Sequence, residues 1–149
     1  MELVIFRLNG QRYALPLPAV ERVIQAVEVT SLPGAPAVVL GVINVAGRVL
    51  PVFNIRRRFF LPEREIVPAD QFLIARTTWH TVALVIDEVH GVIEHESTAV
   101  LGADRLVPGF EQFQGVVKLD DGLVLIHDLE KFLSLEEAQT LDTAMEQAE

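Results

Sequence analysis

The chain has 149 residues, half of them hydrophobic and 22% charged, with a net charge of −9 and no cysteine. That composition is globular rather than disordered, and it excludes disulfides, zinc–thiolate sites and cysteine nucleophiles. Residues 135–149 carry Glu136, Glu137, Asp142, Glu146 and Glu149 without a base, so the rest of the chain carries only −4; a general nucleic-acid binder, which needs clustered Lys and Arg, is disfavoured.

The amino-terminal MELVIFRLNG lacks the basic segment and apolar core of a secretory signal. The longest apolar run, Ala37 to Gly47, is too short to span a bilayer. A cytoplasmic chain with no direct membrane insertion is the expectation.

Glu2–Leu8 reads as a strand, Asn9-Gly10 as a tight hairpin turn, and Gln11–Leu15 as the returning strand. Pro16 and Pro18 stop it. Val20, Val23, Ile24 and Val27 then fall at helical spacing, which predicts a short amphipathic helix over Leu17–Gln25. Ser31–Pro36 is a loop, because two prolines and a glycine allow little else. The central stretch follows: a strand at Leu40–Val45, a turn at Ala46-Gly47, and a second strand at Arg48–Ile55. Its branched residues suit a pleated, half-buried surface. Pro51 lacks an N–H and predicts an edge or a bulge rather than mid-sheet. Between Val29 and Ile55 the only charge is Arg48, so this apolar surface faces a core or a partner.

Residues 61–70, polar and bounded by prolines, are the expected boundary between two lobes. Gln71–Thr77 is a strand with Phe72 and Ile74 on one side and Leu73 and Ala75 on the other. Thr78–His80 turns the chain, Thr81–Val89 is an apolar strand ending in acids, and Gly91 permits a bend or bulge before Val92-Ile93. Ser97–Gln112 reads as irregular. Gly115–Leu119 and Leu123–His127 form a last hairpin, with Asp128 as an N-cap before a helical turn at Leu129, Phe132 and Leu133. Ser134 and Glu137 make a capping box for a final helix over about 134–147. The pattern is mostly β, with about ten short strands and no strand–helix–strand alternation to support a parallel sheet. Two small β-barrels in a single 149-residue domain are expected.

No catalytic set emerges. Asp87 and Glu88 are adjacent in a strand and point to opposite faces. His90, His95, Glu94 and Glu96 match no helix or hairpin metal motif, so neither a metal nor a cofactor is expected. The three serines lie outside any nucleophile elbow, and the glycines form no dinucleotide or phosphate loop. Arg56-Arg57-Arg58 has two readings. It is strand-edge charge that blocks sheet-to-sheet aggregation, or a docking patch in which alternation pairs Arg56 with Arg58.

Four stretches in order, VIFRLNGQRYALPLPAVERVI, LPGAPAVVLGVINVAGRVLPVFNIRRRF, ALVIDEVHGVI and FQGVVKLDDGLVLIHDLEKFLSLEEAQTLD, span nearly the whole chain. Together they resemble the CheW-like adaptor family of bacterial chemosensory arrays. The resemblance implies two intertwined five-stranded SH3-like barrel subdomains with short helices, a C-terminal helix and an apolar groove. It implies a non-catalytic scaffold, cytoplasmic and gathered at membrane-associated receptor arrays. The implied partners are the regulatory domain of a CheA-type histidine kinase and the cytoplasmic tip of a chemoreceptor. Gly41, Asn44, Gly47 and Pro51 match the hairpin that frames the receptor groove in that family, and Val45, Ala46 and Arg48 of the same hairpin join them as candidates. Val85, Asp87, Glu88, Val89 and Gly91 match a second-lobe strand and turn, an interface candidate.

One departure stands out. The family turn usually reads Asn-Leu-Arg-Gly, and here it reads Asn44-Val45-Ala46-Gly47. Losing the guanidinium removes a planar set of donors. Altered receptor contacts, or an output other than flagellar motility, are the corresponding expectation, with Arg48 placed to compensate. The competing class is a ligand- or oligonucleotide-binding barrel, since small barrels host many functions. Such a module needs stacking aromatics among Lys and Arg; one Trp, one Tyr and two lysines (Lys118 and Lys131) supply little of this.

Overall fold

Two twisted sheets dominate the computed structural model, which describes residues 1–95, 100–101 and 112–148. Strands β1 (Glu2–Leu8) and β2 (Gln11–Pro16) form the first hairpin. Its turn places Asn9 and Gly10 at φ of 54° and 79°, the conformation this dipeptide favours. A 3₁₀ turn at Leu17–Ala19 leads into β3 (Val20–Gln25). The expected helix here is therefore a strand. A bulge between Val20 and Arg22 in its pairing with a later strand throws the apolar residues off strict alternation, which mimics helical spacing.

Next come β4 (Val39–Val45), β5 (Arg48–Phe53) and the one-turn helix α1 (Ile55–Arg58). The second strand of the central hairpin ends earlier than Ile55 because Asn54 caps α1, its Oδ1 accepting the Arg57 N–H at 3.2 Å. Strands β6 (Gln71–Arg76) and β7 (Thr81–Ile86) follow, and the chain breaks at Asp87 before β8 (Glu88–Glu94). Thr81–Val89 is thus two strands, not one. A short β9 (Val100–Leu101), the hairpin β10 (Phe113–Leu119) and β11 (Gly122–His127), a 3₁₀ turn at Leu129–Lys131 and helix α2 (Leu135–Ala148) complete the fold. Apart from β9 and Gln112, the segment read as irregular lies outside the described residues. Asp128 precedes the 3₁₀ turn without a side-chain capping bond. The capping box on α2 forms: Ser134 N–H donates to Glu137 Oε1 at 2.9 Å, and Glu137 N–H to Ser134 Oγ at 3.1 Å.

The six-stranded sheet runs β8-β1-β2-β11-β10-β9 and the five-stranded sheet β3-β6-β7-β5-β4. The first hairpin thus sits with the carboxy-terminal strands, which intertwines the two units. Neither strand order closes into a barrel, although Thr30 bridges back to Val42 on β4. The connector 61–70 joins α1 to β6, and its flanking strands β5 and β6 share one sheet; the chain changes sheet at Leu17–Ala19 and at Asp87 instead. Two pairings, β2 with β11 and β5 with β7, are parallel. Pro51 lies in an interior strand, contrary to the expected edge. Parallel pairing with β7 begins only at Val52, so the absent N–H of Pro51 breaks no ladder there.

Each sheet buries both faces. On β6, Leu73 and Ala75 enter the core between the sheets, while Phe72 and Ile74 enter a second core with Ile43, Leu50 and Val52. On β1, Val4, Phe6 and Leu8 join the shared core, and Leu3 and Ile5 a third with Val124 and Ile126. Such two-sided burial explains why these strands read as nearly continuous apolar runs.

His127 sits in the shared layer, fully buried, edge-on to Phe59 at 4.8 Å and to Phe132 at 6.1 Å. Among the described residues neither ring nitrogen has a hydrogen-bond partner, and burial pushes its pKa down from 6.5 to about 3. The folded chain keeps this ring neutral, whereas the unfolded chain takes up its proton below pH 6.5. Folding stability is therefore lost as pH falls from 6.5 toward 3, by about 1.4 kcal/mol per pH unit from this group. Urea unfolding at pH 7, 6 and 5 should show a shallower decline for His127→Leu than for the wild type; equal slopes would refute the assignment.

Candidate functional site

The hairpin β4–β5 owes its shape to two local constraints. Gly41 has φ of 153°, and a Cβ there would lie 2.2 Å from the Thr30 carbonyl oxygen. The backbone of Thr30 exchanges hydrogen bonds with Val42 at 2.9 and 2.8 Å, so that segment has no room to retreat. At the turn, Ala46 and Gly47 take φ of 52° and 85°, and Asn44 Oδ1 accepts the Gly47 N–H at 2.9 Å. The left-handed conformation at Ala46 is disfavoured for a residue with a Cβ. Asn44, Ala46 and Gly47 are exposed at the tip, while Val45 points into the core of the five-stranded sheet. Arg48 pairs with Glu21 on β3, and its hydrogen bonds hold the Glu21 carboxyl below the ordinary range.

An apolar trough runs beside this hairpin. Val27, Thr30, Leu32, Val42, Asn44 and Val49 line one part of it. Val27 also lines the adjoining groove with Val29, Leu40, Ile66 and Val85, and there the apolar stripe is flanked by charge from Glu28, Glu63, Glu65, Asp70, Arg56 and Arg64. Val27, Leu40 and Val49 are 45%, 40% and 43% exposed, too much for core residues. The structure thereby brings Val85 to the same surface as the hairpin. None of the three is named as a site residue from the sequence: Val27 reads as part of a helical face, and for Leu40 and Val49 the signal there is the near absence of charge from Val29 to Ile55.

The other second-lobe candidates go elsewhere. Val89 packs against the shared core, its N–H bonded to Gln71 Oε1 at 2.8 Å. Glu88 pairs with Arg7 at 2.8 Å and contacts His90 at 3.1 Å. Gly91, φ 128°, sits at a bulge opposite Ile5 and Phe6. Asp87 is a junction. Its Oδ1 receives Arg56 and Arg64, each at 3.1 Å, its Oδ2 accepts the Asn9 N–H at 3.0 Å, and its own N–H donates to the Arg7 carbonyl at 3.0 Å. Arg64 also grips Asp70 at 2.9 and 2.8 Å. Burial raises the Asp70 pKa, but Arg64, the Val67 N–H and the charge of Arg56 outweigh it and hold the carboxyl below its ordinary value.

Arg56 and Arg58 do not form a docking patch. The basic run is helical rather than extended, so alternation does not apply. Arg56 is 9% exposed and also donates to the Pro62 carbonyl at 3.1 Å. Arg58 binds Glu137 at 2.7 and 2.6 Å and lies over the Phe132 ring at 5.4 Å. Both guanidiniums hold the fold together, and the strand-edge reading fails for the same reason. Among the described residues no three His, Asp or Glu side chains are grouped to hold a metal ion, and no helix is long and apolar enough to cross a membrane. Glu96 lies outside the described residues.

Residues 2–137 match the family described as CheW-like domain. A protein named chemotaxis protein CheW from Bacillus subtilis is 29% identical over 93% of this chain and 90% of its own. Its namesake from Treponema pallidum is 27% identical over 94% of this chain and 86% of its own. The crystal structure of the scaffolding protein TtCheW from Thermoanaerobacter tengcongensis superposes with a TM-score of 0.82 at 25% identity, covering 91% of this chain and 94% of that one.

Asp87→Ala would leave two guanidiniums short of their shared carboxylate, one of them nearly buried, and should cost about 3 kcal/mol in urea unfolding. A loss under 1 kcal/mol, the scale of an exposed pair, would count against the junction. Gly41→Ala should also destabilise, by about 2 kcal/mol or more, since the new methyl meets backbone rather than a movable side chain. Unchanged thermal unfolding would contradict that.

Proposed function

Because the chain belongs to the CheW-like domain family, whose members are non-catalytic adaptors, we propose that it couples chemoreceptors to a CheA-type histidine kinase. The observation that carries this reading is the family match over residues 2–137, in a fold that exposes a trough with an apolar stripe beside β4–β5. In this reading the trough beside β4–β5 receives an apolar stripe of the receptor's helical tip, a helix-in-groove mode. Gly41, Asn44, Gly47 and Pro51 shape the hairpin, and Val85 with Val27, Leu40 and Val49 supplies contact area. The protein then works at receptor arrays on the cytoplasmic side of the membrane.

We further infer that its receptor contacts differ from those usual in the family. Ala46 presents a methyl group at the exposed turn, and Arg48, the nearest guanidinium in sequence, is engaged by Glu21. Neither offers free planar donors at the tip. A specialised adaptor, serving an output other than flagellar motility, fits that surface.

A pull-down from native cytoplasm with wild-type protein and with Ala46→Arg tests both parts. Kinase recovered by both, with receptor gained or at least several-fold enriched by the arginine, is the expected result. Equal receptor recovery by the two would remove the role assigned to Ala46. Recovery of neither partner would overturn the coupling function.

A further inference from the structure

A second surface lies between the β6–β7 turn and helix α2, reaching the end of β5 only at Phe53. It is a cavity of about 210 Å³ whose apolar lining includes Phe53, Leu129, Leu133 and Ala138. Trp79 and Leu135 also line it, and both are largely exposed, at 69% and 72%. Trp79 is the chain's sole tryptophan.

The turn that carries Trp79 is pinned. Thr77 Oγ1 accepts the N–H groups of Trp79 and His80 at 3.1 and 3.0 Å, and the Thr78 N–H donates to Glu130 Oε1 at 2.6 Å. His80 Nε2 meets Asp142 Oδ1 on α2 at 2.5 Å. The indole is thus presented to solvent from a backbone already ordered, so a partner would spend little entropy arranging it. Exposed aromatics beside a desolvated pocket are the composition of binding hot spots.

Charge indicates the occupant. Glu130 and Asp142 line the cavity, and α2 adds the exposed Glu136 and Glu146 and no base of its own, its Glu137 being taken by Arg58. We propose that this groove docks an amphipathic helical segment of a protein partner, with an apolar anchor between Trp79 and Leu135 and flanking Lys or Arg facing the α2 carboxylates. The same acidity disfavours an anionic lipid surface, and a second copy of this face would oppose its like charges. The inference does not depend on the receptor reading, which concerns the other trough.

Trp79 fluorescence tests it. The probe is a synthetic amphipathic helix with leucines at i, i+3, i+4 and i+7 and flanking lysines, compared with the same leucines flanked by glutamates. The lysine peptide should blue-shift and saturate Trp79 emission, and the glutamate peptide should not. Leu135→Glu, a change at an exposed position with folding checked by circular dichroism, removes apolar contact while adding negative charge. It should weaken the lysine peptide about tenfold. Equal or tighter binding to Leu135→Glu would mean attraction by charge alone and would overturn the proposal. So would the absence of a shift with the lysine peptide, or a shift caused only by phosphatidylcholine–phosphatidylserine vesicles.

Discussion

The Asp87 carboxylate is the constraint on which the architecture turns. It stands where the chain leaves the five-stranded sheet for the six-stranded one, and it ties three other segments to that crossing. The Asn9 turn belongs to one sheet, and α1 and the 61–70 connector belong to the other. A carboxylate with several donors suits this place because each bond is charge-assisted and directional. Apolar contact alone would let the sheets slide. Arg56 could not remain as buried as it is without that counter-charge.

Helix α2 is the second brace. Its capping box satisfies the first turn, and the same Glu137 carboxylate binds Arg58 from α1. Leu141 and Ala144 are then buried against the shared core. Burial raises the Glu137 pKa, but the Ser134 N–H and Arg58 outweigh that and hold it below the usual range, so the clamp stays ionised at neutral pH. The outer face keeps its other acids in water. One helix therefore closes the core and also walls the cavity beside Trp79, to which it contributes Leu135, Ala138 and Asp142.

Function in such a molecule depends on surfaces. The cations of the basic run are largely spent on the fold, two of them on Asp87 and Glu137, and exposed apolar residues such as Val27, Leu40 and Val49 line one groove while Trp79 and Leu135 line another. Two separate grooves, each with an apolar stripe and acidic groups beside it, are suited to holding partners in fixed relation, which is what a scaffold does. The turn at Ala46 is an exposed feature beside one of them. The left-handed backbone is shared with Gly47, and the side chain at the tip is free of any packing role.

Much of the fold was legible because it is local. Asn9-Gly10, the Ser134–Glu137 box, the β10–β11 hairpin and the two-sided alternation of β6 are each set by neighbours within a few residues. The failures have a common cause. A bulge paired against β6 turned the apparent helix at Leu17–Gln25 into a strand, and partners far along the chain drew Arg56 and Arg58 inward. Which apolar residues remain exposed, among them Val27, Leu40, Trp79 and Leu135, was invisible for the same reason, since exposure depends on what packs opposite. The sequence by itself determined the local turns, the strand periodicity, the absence of thiol chemistry and the family. Only the tertiary structure decided where the chain changes sheet, which charges meet across it and which apolar faces are left open, because those depend on contacts between residues distant in sequence.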